Sequence, residues 1–450
     1  MVAVTRPRTA RDRGQDVGRG REGARVVLGS RPVRVGIVGA GGRGRLHARH
    51  VSRAGGRVVA VAEPHPGRRD ALADACEVPA GHRFDGWTDL AERADLVDVV
   101  VIATQDHEHA DPVVAFAERG VHLICEKPIA PDEQEALRVA AAVQRAGVQF
   151  TICHPLRYAP YTRALVAALR DGRIGDLVSV QHLEPVGAWH FAHSYVRGAW
   201  RREDLASSLL LAKCSHDIDL LTHVVGDRPS RLASFGRLSH FRADKHPDGA
   251  AANCLDCGVE PTCPYSAPRL YRSCLGDPDW EHQLLGAVTD VPSAEALDDA
   301  LRTGPYGRCV YLCDNDVVDH QVVALEFDSG ITATHTVTAF SDAAPRQTRV
   351  FGTHGAVEGD GHTLRFHDFR AHPDRAVETL TPGDGRPPHQ EGDEELVRSF
   401  LRAVAHDDPA ANLTGLDETM TSHRIVWAAE RARRSGETER LTWEPAGVGG

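Results

Sequence analysis

Two patterns of apolar and polar residues divide the chain. In the first third, short apolar runs are separated by longer amphipathic segments. The runs predict buried strands at residues 33–38, 57–62, 96–102, 121–125 and 148–152. The segments between them predict helices at 45–53, 107–118 and 132–145. Because strands alternate with helices, this part of the chain is predicted to form an α/β domain with an open, doubly wound parallel sheet.

The remainder of the chain is richer in strands. They are predicted at residues 177–183, 231–238, 321–327, 331–338 and 348–357. Polar and apolar residues alternate along 331–337, which is typical of a sheet with one face buried and the other facing solvent or a second subunit. Two closing helices are predicted at 394–404 and 417–434, and loops at 286–306 and 373–392.

The composition is that of a globular protein large enough for two domains. Of the 450 residues, 42% are hydrophobic and 26% are charged. The net charge of -11 disfavours a nucleic-acid-binding surface. No apolar run reaches the roughly 18 residues that span a membrane.

The N-terminal segment differs from the rest. Its first 34 residues contain nine arginines and three acidic residues, and they lack the apolar stretch of a secretion signal. We expect a disordered tail over residues 1–32 and a cytoplasmic location. In that compartment the ten cysteines would be reduced or metal-bound rather than paired.

A glycine-rich turn follows the first strand. Gly39 permits a tight turn, Gly41 lets the backbone approach a pyrophosphate, and Gly44 lets the next helix pack closely on the sheet. Glu63 ends the second strand, where a carboxylate accepts hydrogen bonds from the ribose of NAD. Glu63 therefore favours NAD, although the neighbouring Arg68 and Arg69 leave NADP open.

Lysine is rare in this chain, with three residues against 49 arginines. Lysine is hardest to replace by arginine where a compact amine with an adjustable pKa is needed. Lys127 follows the apolar run 121–125 in the tripeptide Glu126-Lys127-Pro128, and Lys213 lies in a second polar segment. Strand ends in an open parallel sheet lie side by side, so Thr104, Lys127 and His154 are expected to cluster with the glycine turn.

These motifs resemble those of the Gfo/Idh/MocA family of NAD(P)-dependent oxidoreductases, from Val33 to about Leu441. The resemblance implies a Rossmann domain over residues 33–153 and a substrate-binding α+β domain over 154–445. The second domain of this family is built on a large, mostly antiparallel sheet that commonly mediates homodimers or homotetramers. The residues implied to bind the cofactor are Gly39, Gly41, Gly42, Arg43, Gly44, Glu63, Thr104, His109, Glu126 and Lys127.

The expected chemistry is the oxidation of a secondary alcohol, which requires a hydride acceptor and a base for the hydroxyl proton. His216 is the predicted base, and Lys127 is expected to stabilise the developing alkoxide. Many family members carry an aspartate four residues before the catalytic histidine and a glycine two before it. Here those positions hold Ala212 and Cys214. We therefore expect either that Lys213 or Asp217 takes over the orienting role, or that the proton chemistry is rearranged. We interpret Lys213 as a further catalytic residue that contacts the substrate or the alkoxide.

The expected substrate is a sugar, a glycoside or a cyclitol. Residues 189–200 combine aromatic rings with histidine and arginine, a mixture that binds carbohydrate faces and hydroxyl groups, although an aromatic core helix is the alternative. The candidate substrate-binding residues are His154, Arg157, His190, His193, Arg197 and Asp219.

A Cys-rich insert is predicted at about residues 240–300. Cys254, Cys257, Cys263 and Cys274 lie within 21 residues, which favours a structural zinc site. The fourth ligand stays open, because Cys309 and Cys313 compete with Cys274. An iron–sulfur cluster and unligated thiols are the alternatives.

Two other functions are compatible with the motifs. Some relatives cleave glycosides through transient oxidation, so that NAD is recycled, and the incomplete catalytic set fits that route. A non-catalytic regulator that binds the cofactor is the third hypothesis, but the presence of both Lys127 and His216 speaks against it.

Overall fold

The computed structural model describes residues 27–28, 31–277, 280–281 and 284–443. Most of the predicted tail lies outside these residues. At its end, β1 (Val27–Leu28) pairs antiparallel with β2 (Arg31–Pro32). Arg31 is bonded to Asp98 at 2.6 Å, so this part of the segment is attached to the first domain.

Runs of valine, isoleucine and alanine form the predicted parallel sheet, which contains a sixth strand, Arg83–Phe84, in addition to the five predicted ones. Its strands are β3 (Arg34–Val38), β4 (Arg57–Ala62), β5 (Arg83–Phe84), β6 (Val99–Ile102), β7 (His122–Cys125) and β8 (Phe150–Ile152). Their order is β5-β4-β3-β6-β7-β8. The order reverses between β3 and β6, where ligands bind in sheets of this type.

Five helices cover this sheet: α1 (Gly42–Arg53), α2 (Pro66–Ala75), α3 (Trp87–Glu92), α4 (Ala110–Ala117) and α5 (Glu133–Ala146). The Asp132 side chain caps α5 by accepting hydrogen bonds from two backbone N–H groups, and Gly147 ends it in a left-handed conformation. The apolar pattern does not predict α2, because only Leu72 and Ala73 are buried along it.

The second domain is built on a nine-stranded sheet, mostly antiparallel. Its strands are β9 (Leu177–Pro185), β10 (Pro229–Arg237), β11 (His320–Phe327), β12 (Thr332–Thr338), β13 (Gln347–Gly352), β14 (Gly355–Gly359), β15 (Leu364–Asp368), β16 (Val377–Leu380) and β17 (Glu439–Arg440). The order is β16-β15-β14-β13-β9-β12-β11-β10-β17. Only β9 and β12 pair in parallel among these strands. The predicted α/β plus α+β architecture is therefore confirmed.

Three local predictions in this domain are wrong. Residues 348–357 form two strands, because a turn separates β13 from β14 where Gly352 and Gly355 let backbone carbonyls approach closely. The predicted loop at 286–306 contains a helix, Ala294–Thr303, which Ser293 caps. The predicted loop at 373–392 contains β16 and the start of the Pro388–His406 helix.

The remaining helices are α6 (Pro160–Arg170), α7 (Ala188–Phe191), α8 (Leu209–Val225), α9 (Ala267–Arg272), α10 (Ala294–Thr303), α11 (Pro388–His406) and α12 (Leu416–Ser435). A π-helical turn, Ala192–Arg197, follows α7. Although α11 comes late in the chain, its apolar residues Leu396, Val397 and Phe400 pack into the core around β3 and α1. The first domain therefore includes a helix from the C-terminal part of the sequence.

None of the helices in the described ranges is both long enough and apolar enough to cross a bilayer.

Candidate active site

The glycine turn connects β3 to α1 and leaves space for a ligand. Gly39 has a φ of +91°, and a Cβ atom there would overlap the Ala103 carbonyl group. A Cβ on Gly44 would overlap the Gly39 carbonyl oxygen. By contrast, Gly41 and Gly42 face open space, and no side chain caps α1. The free N-terminal amides of α1 can therefore receive a pyrophosphate, so this turn fits a dinucleotide.

Glu63 lies beside this turn, at the end of β4. Its Oε2 accepts a hydrogen bond from the Ala40 N–H at 2.8 Å, and its Oε1 accepts one from the His65 N–H at 3.0 Å. Both bonds fix the carboxylate next to the turn. Of the two neighbouring arginines, Arg69 donates to the Glu63 carbonyl oxygen and pairs with Asp85, whereas Arg68 is exposed. This geometry fits the predicted ribose contact.

A cavity of about 280 Å³ opens between the glycine turn and the second domain. The ends of β6 and β7 form one side of it, and α8 with the segment after β9 forms the other. Its walls are formed by Arg43, Ala103, Thr104, Asp106, Glu126, Lys127, His190, Ser194, Tyr195, Trp200, Ala212, Lys213, His216, Arg346 and His389. Lys127, Lys213 and His216, the three predicted catalytic residues, are all among them.

Lys127 is anchored to both domains. Its Nζ donates a hydrogen bond to the carbonyl oxygen of Ala212 on α8. The Lys127–Pro128 peptide bond is cis. Burial lowers the pKa of the Lys127 ammonium group, and Lys213 lowers it further, while Asp106 and Glu126 act in the opposite direction. The cation therefore loses its proton more readily than an ordinary lysine.

His109 braces the segment that carries Lys127. Its Nδ1 lies 2.6 Å from the Pro128 carbonyl oxygen, and its Nε2 lies 3.3 Å from the Thr104 carbonyl oxygen. His109 is almost fully buried and does not line the cavity. Its position therefore indicates a supporting role rather than direct contact with a cofactor.

Glu126 is the centre of a buried polar network. Its Oε1 lies 2.5 Å from Arg43 Nε and 2.7 Å from His47 Nε2. Arg43 also makes a bidentate contact with Asp393 on α11, at 2.8 and 2.9 Å. Burial alone would raise the pKa of Glu126, but Arg43 and His47 outweigh it and lower the pKa below its usual range. The carboxylate is therefore ionised, and it fixes Arg43 at the cavity wall.

His216 projects from α8 into a cluster of histidines. Its ring centroid lies 5.2 Å from that of His154 and 5.3 Å from that of His389, both edge to face. Burial lowers the pKa of His216 well below its usual range, and the positive potential of His154, His389 and Lys127 lowers it further. Nδ1 is buried and has no hydrogen-bond partner among the described residues. His216 is therefore a neutral imidazole at neutral pH.

Charged residues extend from Lys213 along the other wall of the cavity. Lys213 Nζ lies 3.2 Å from Glu184 Oε1, and Arg346 Nε lies 2.9 Å from Glu184 Oε2. Arg346 also contacts Asp217, whose Oδ1 lies 2.8 Å from His182 Nε2. Asp217 thus points towards Arg346 and His182, and Lys213 points towards Glu184, so neither residue forms a hydrogen bond with His216.

The predicted substrate residues fall into three groups. His190 lines the cavity, and burial lowers its pKa to about 3. His154, Arg157 and Asp219 lie behind His216, where Arg157 makes a bidentate contact with Asp219 at 2.8 Å. These three do not line the cavity.

His193 and Arg197 face the Cys-rich insert instead. His193 Nδ1 lies 2.8 Å from the Tyr271 hydroxyl group, and its ring stacks on Tyr306. Arg197 donates to the carbonyl oxygens of Arg308 and Tyr265, at 2.8 and 2.9 Å. The π-helical turn explains this division, because it directs Ser194 to the cavity and Arg197 to the insert.

Several residues of the cavity wall, among them Asp106, Arg346 and His389, are not among the predicted site residues. Arg346 lies in a polar segment before β13 without a recognisable motif. His389 lies in the predicted loop at 373–392, although its spacing from Asp393 is that of two residues on one face of a helix. The contact is present, since His389 Nδ1 lies 3.1 Å from Asp393 Oδ2. The His-x-x-x-Asp spacing was the signal that could have revealed it.

The four cysteines predicted to bind zinc do not all lie together in the structure. Cys254, Cys257 and Cys263 line a second cavity, together with Cys309. Cys274 does not line it and donates a hydrogen bond to the Leu270 carbonyl oxygen at 3.3 Å.

Two family models match the chain. The oxidoreductase family model for the NAD-binding Rossmann fold, GFO_IDH_MocA, matches residues 33–154. The model of the C-terminal alpha/beta domain of the same oxidoreductase family matches residues 166–438.

Individual relatives and solved structures agree with these matches. Inositol 2-dehydrogenase of Rhizobium meliloti (strain 1021) is 31% identical over 202 residues, 44% of this chain and 56% of the relative. 1,5-Anhydro-D-fructose reductase of Ensifer adhaerens is 28% identical over 197 residues, 43% of this chain and 57% of the relative. The chain thus spans little more than half the length of these curated relatives.

The fold is also similar to that of levoglucosan dehydrogenase in complex with NADH and levoglucosan. The TM-score is 0.68 at 16% sequence identity, over 92% of this chain and 100% of that one.

Proposed function

This chain belongs to the Gfo/Idh/MocA family of oxidoreductases, and we propose that it transfers a hydride between NAD and a secondary hydroxyl group of a sugar, a glycoside or a cyclitol. One observation carries the proposal: Lys127 and His216 line the same cavity, next to a turn that fits a dinucleotide. The cofactor, when bound, supplies the hydride acceptor. Similarity to an inositol dehydrogenase and to a levoglucosan dehydrogenase supports the substrate class.

In this proposal His216 receives the hydroxyl proton. Because its pKa is lowered well below the usual value, the ring is neutral and free to accept a proton at neutral pH. Since Nδ1 is buried, Nε2 is the nitrogen available to the substrate. The nearby positive groups also repel the proton afterwards, so the ring returns to its neutral state readily.

Lys127 has a complementary role. Its ammonium group uses one N–H to bond the Ala212 carbonyl oxygen and keeps two for a ligand. We assign one of these to the reacting oxygen, where a positive charge stabilises the alkoxide that develops as the proton leaves. Lys213 is held by Glu184 and would contact a neighbouring hydroxyl group.

The other cavity walls fit a polyhydroxylated substrate. Trp200 and Tyr195 offer aromatic surfaces, on which the C–H faces of a sugar ring stack. His190, Ser194 and Arg346 add hydrogen-bonding groups around these rings. This combination supports a carbohydrate or cyclitol over an apolar alcohol.

The function is tested by mixing the purified protein with NAD and a panel of polyols and glycosides. We expect NADH to accumulate with at least one cyclitol or sugar. The Lys127→Met variant should bind NAD and produce NADH at least about a hundredfold more slowly. Absence of both bound cofactor and hydride transfer would refute the proposal. Glycoside cleavage without accumulation of NADH would instead indicate the redox-neutral route.

A homo-oligomer is also proposed, formed through the outer face of the nine-stranded sheet. Phe235 on β10 and Val322 on β11 are directly paired, and they are 66% and 38% exposed. Exposed apolar pairs of this kind favour burial against a second copy. Light scattering should show a dimer or tetramer that Phe235→Glu dissociates, while Val291→Glu in the insert serves as the control. A monomeric wild type would contradict this proposal.

A further inference from the structure

A second cavity, of about 240 Å³, lies inside the Cys-rich insert, away from the proposed active site. Four of the chain's ten cysteines line it: Cys254, Cys257, Cys263 and Cys309. All four are free thiols. They come from two segments more than forty residues apart, which an antiparallel bridge between Asn253 and Arg308 holds together. The fold therefore gathers thiols that are not close in sequence.

Backbone amides point at these sulfur atoms. The Ala251 N–H donates to Cys257 Sγ at 3.4 Å. The backbone N–H groups of Tyr265 and Tyr311 make the same kind of contact with Cys263 and Cys309. Such N–H donors stabilise the negative charge of a thiolate. They are arranged for ligating sulfurs rather than for apolar packing.

A buried cation completes the surroundings of the cavity. Arg197 is 1% exposed and lines the cavity, and its Nη2 lies 3.5 Å from Cys254 Sγ. Its Nη1 has no hydrogen-bond partner among the described residues. An unpaired guanidinium nitrogen is costly to bury unless a negative group lies nearby. A centre ligated by four thiolates would supply that negative charge.

The spacing of the sulfurs distinguishes between metals. In a tetrahedral zinc site with Zn–S bonds of about 2.3 Å, the sulfurs lie roughly 3.8 Å apart. Here no three of the four sulfurs lie within 4.8 Å of one another. The site is therefore wider than a single ion requires, and its cavity has space for a larger inorganic group. A four-cysteine set is also the usual ligand set of iron–sulfur clusters.

We propose that Cys254, Cys257, Cys263 and Cys309 are the four thiolate ligands of a metal centre, and that this centre is an iron–sulfur cluster. Each thiol loses its proton to solvent when it binds iron. The role assigned to the centre is structural, with no electron transfer required. This assignment does not depend on the function proposed for the first cavity.

The centre would shape the wall of the first cavity through the π-helical turn. Arg197 ends this turn and contacts the insert, whereas Ser194 and Tyr195 in the same turn line the first cavity. Loss of the metal centre should therefore displace Ser194 and Tyr195, while the glycine turn of the first domain should keep its position. The expected result is a higher KM for substrate with little change in NAD affinity.

Two cysteines of the same region serve as controls. Cys274 belongs to the same buried apolar cluster as Leu297 and Leu301, and it donates a hydrogen bond to the Leu270 carbonyl oxygen. Cys313 donates to the Cys309 carbonyl oxygen at 3.3 Å and does not line the cavity. Neither is placed as a ligand, so a serine at either position should leave the metal content unchanged.

The test is metal and sulfide analysis of the full chain, purified without oxygen, together with its visible absorption spectrum. We expect iron and acid-labile sulfide, with broad absorption near the blue end of the spectrum. Cys257→Ser and Cys309→Ser should lower both contents roughly tenfold or more, and Cys274→Ser should not. Because Cys257 is only half-buried, its variant should still fold, which circular dichroism and thermal unfolding verify.

The other outcomes are equally informative. The wild type could instead contain zinc and no iron. If that zinc were lost in Cys309→Ser and kept in Cys274→Ser, the four ligands would be confirmed and the assignment of an iron–sulfur cluster would be overturned. Metal that survives Cys309→Ser, or no metal in the wild type after anaerobic incubation with an iron salt and sulfide, would overturn the site.

Discussion

The Lys127 ammonium group donates a hydrogen bond to the carbonyl oxygen of Ala212. Ala212 lies one helical turn before His216 on α8, so this bond sets the position of the amine relative to the imidazole. It joins the end of β7 in the first domain to a helix of the second. The proposed proton acceptor and the proposed alkoxide contact are thus held together by main-chain geometry.

The first prediction concerns this amine. Lys127→Met should lower kcat by about 10²- to 10³-fold, because the alkoxide loses its positive partner in a desolvated cavity. Lys127→Arg should be nearly as inactive, since a guanidinium is larger and cannot make the same compact contact. Stopped-flow measurement of NADH formation, with a separate NAD titration, checks both variants. An active Lys127→Arg enzyme would contradict the role given to Lys127.

The second prediction concerns pH. The base must be neutral, so activity is lost as the pH falls through the pKa of His216, which lies well below 6.5. Lys127 must be charged, so activity is also lost as the pH rises through its pKa, which lies below 10.5. The profile of kcat/KM should therefore be a bell whose acid limb lies below pH 6.5. An acid limb at or above pH 6.5 would argue against His216 as the base.

The third prediction separates His216 from its neighbour His389. His216→Gln should lower kcat by about 10²- to 10⁴-fold, because the base is removed. His389→Asn should keep most of the activity and move the acid limb to higher pH, since His389 is one of the groups that lower the pKa of His216. If His389→Asn were instead the inactive variant, the His389–Asp393 pair would be the better candidate for the base.

The sequence predicted the fold and the central cavity residues because both depend on local signals. The glycine turn, Glu63 and Lys127 follow apolar strands directly, and parallel strands bring their ends together. The packing of α11 into the first domain could not be predicted, because it joins residues such as Val33 and Phe400 that share no local pattern. The same limit applies to Arg346 and Cys309. Arg346 lines the first cavity and Cys309 lines the second, but neither position follows from the neighbouring sequence, because each depends on how distant segments fold together.

The fourth prediction uses two glycines of the nucleotide turn as a matched pair. A Cβ on Gly44 would overlap the Gly39 carbonyl oxygen, whereas a Cβ on Gly42 would meet no atom within 4 Å. Gly44→Ala should therefore destabilise the protein by roughly 1–3 kcal/mol, and Gly42→Ala should not. Gly42→Ala should weaken NAD binding instead, as its methyl group enters the space proposed for the pyrophosphate. Thermal unfolding and NAD titration of both variants check this; equal behaviour of the pair would contradict the placement of the cofactor.

The fifth prediction concerns stability in acid. His423 is fully buried: its Nδ1 donates to the Thr419 carbonyl oxygen, and its Nε2 accepts from the Ile129 N–H. Burial, together with the positive potential of His154, lowers the pKa of His423 to about 3. Between pH 6.5 and pH 3, therefore, His423 takes up a proton in the unfolded chain but not in the folded protein. The stability that neutral His423 contributes is present above pH 6.5 and is lost as the pH falls.

Because of this one group, the free energy of unfolding should be about 2 kcal/mol lower at pH 5 than at pH 7.5. His423→Gln should destabilise the protein at pH 7.5, but its unfolding free energy should fall less steeply towards pH 5 than that of the wild type. His372→Gln is the control, because the His372 side chain is 72% exposed and should leave the slope unchanged. Urea denaturation at both pH values measures the slopes, and a His423→Gln slope equal to that of the wild type would contradict the neutral, buried state of His423.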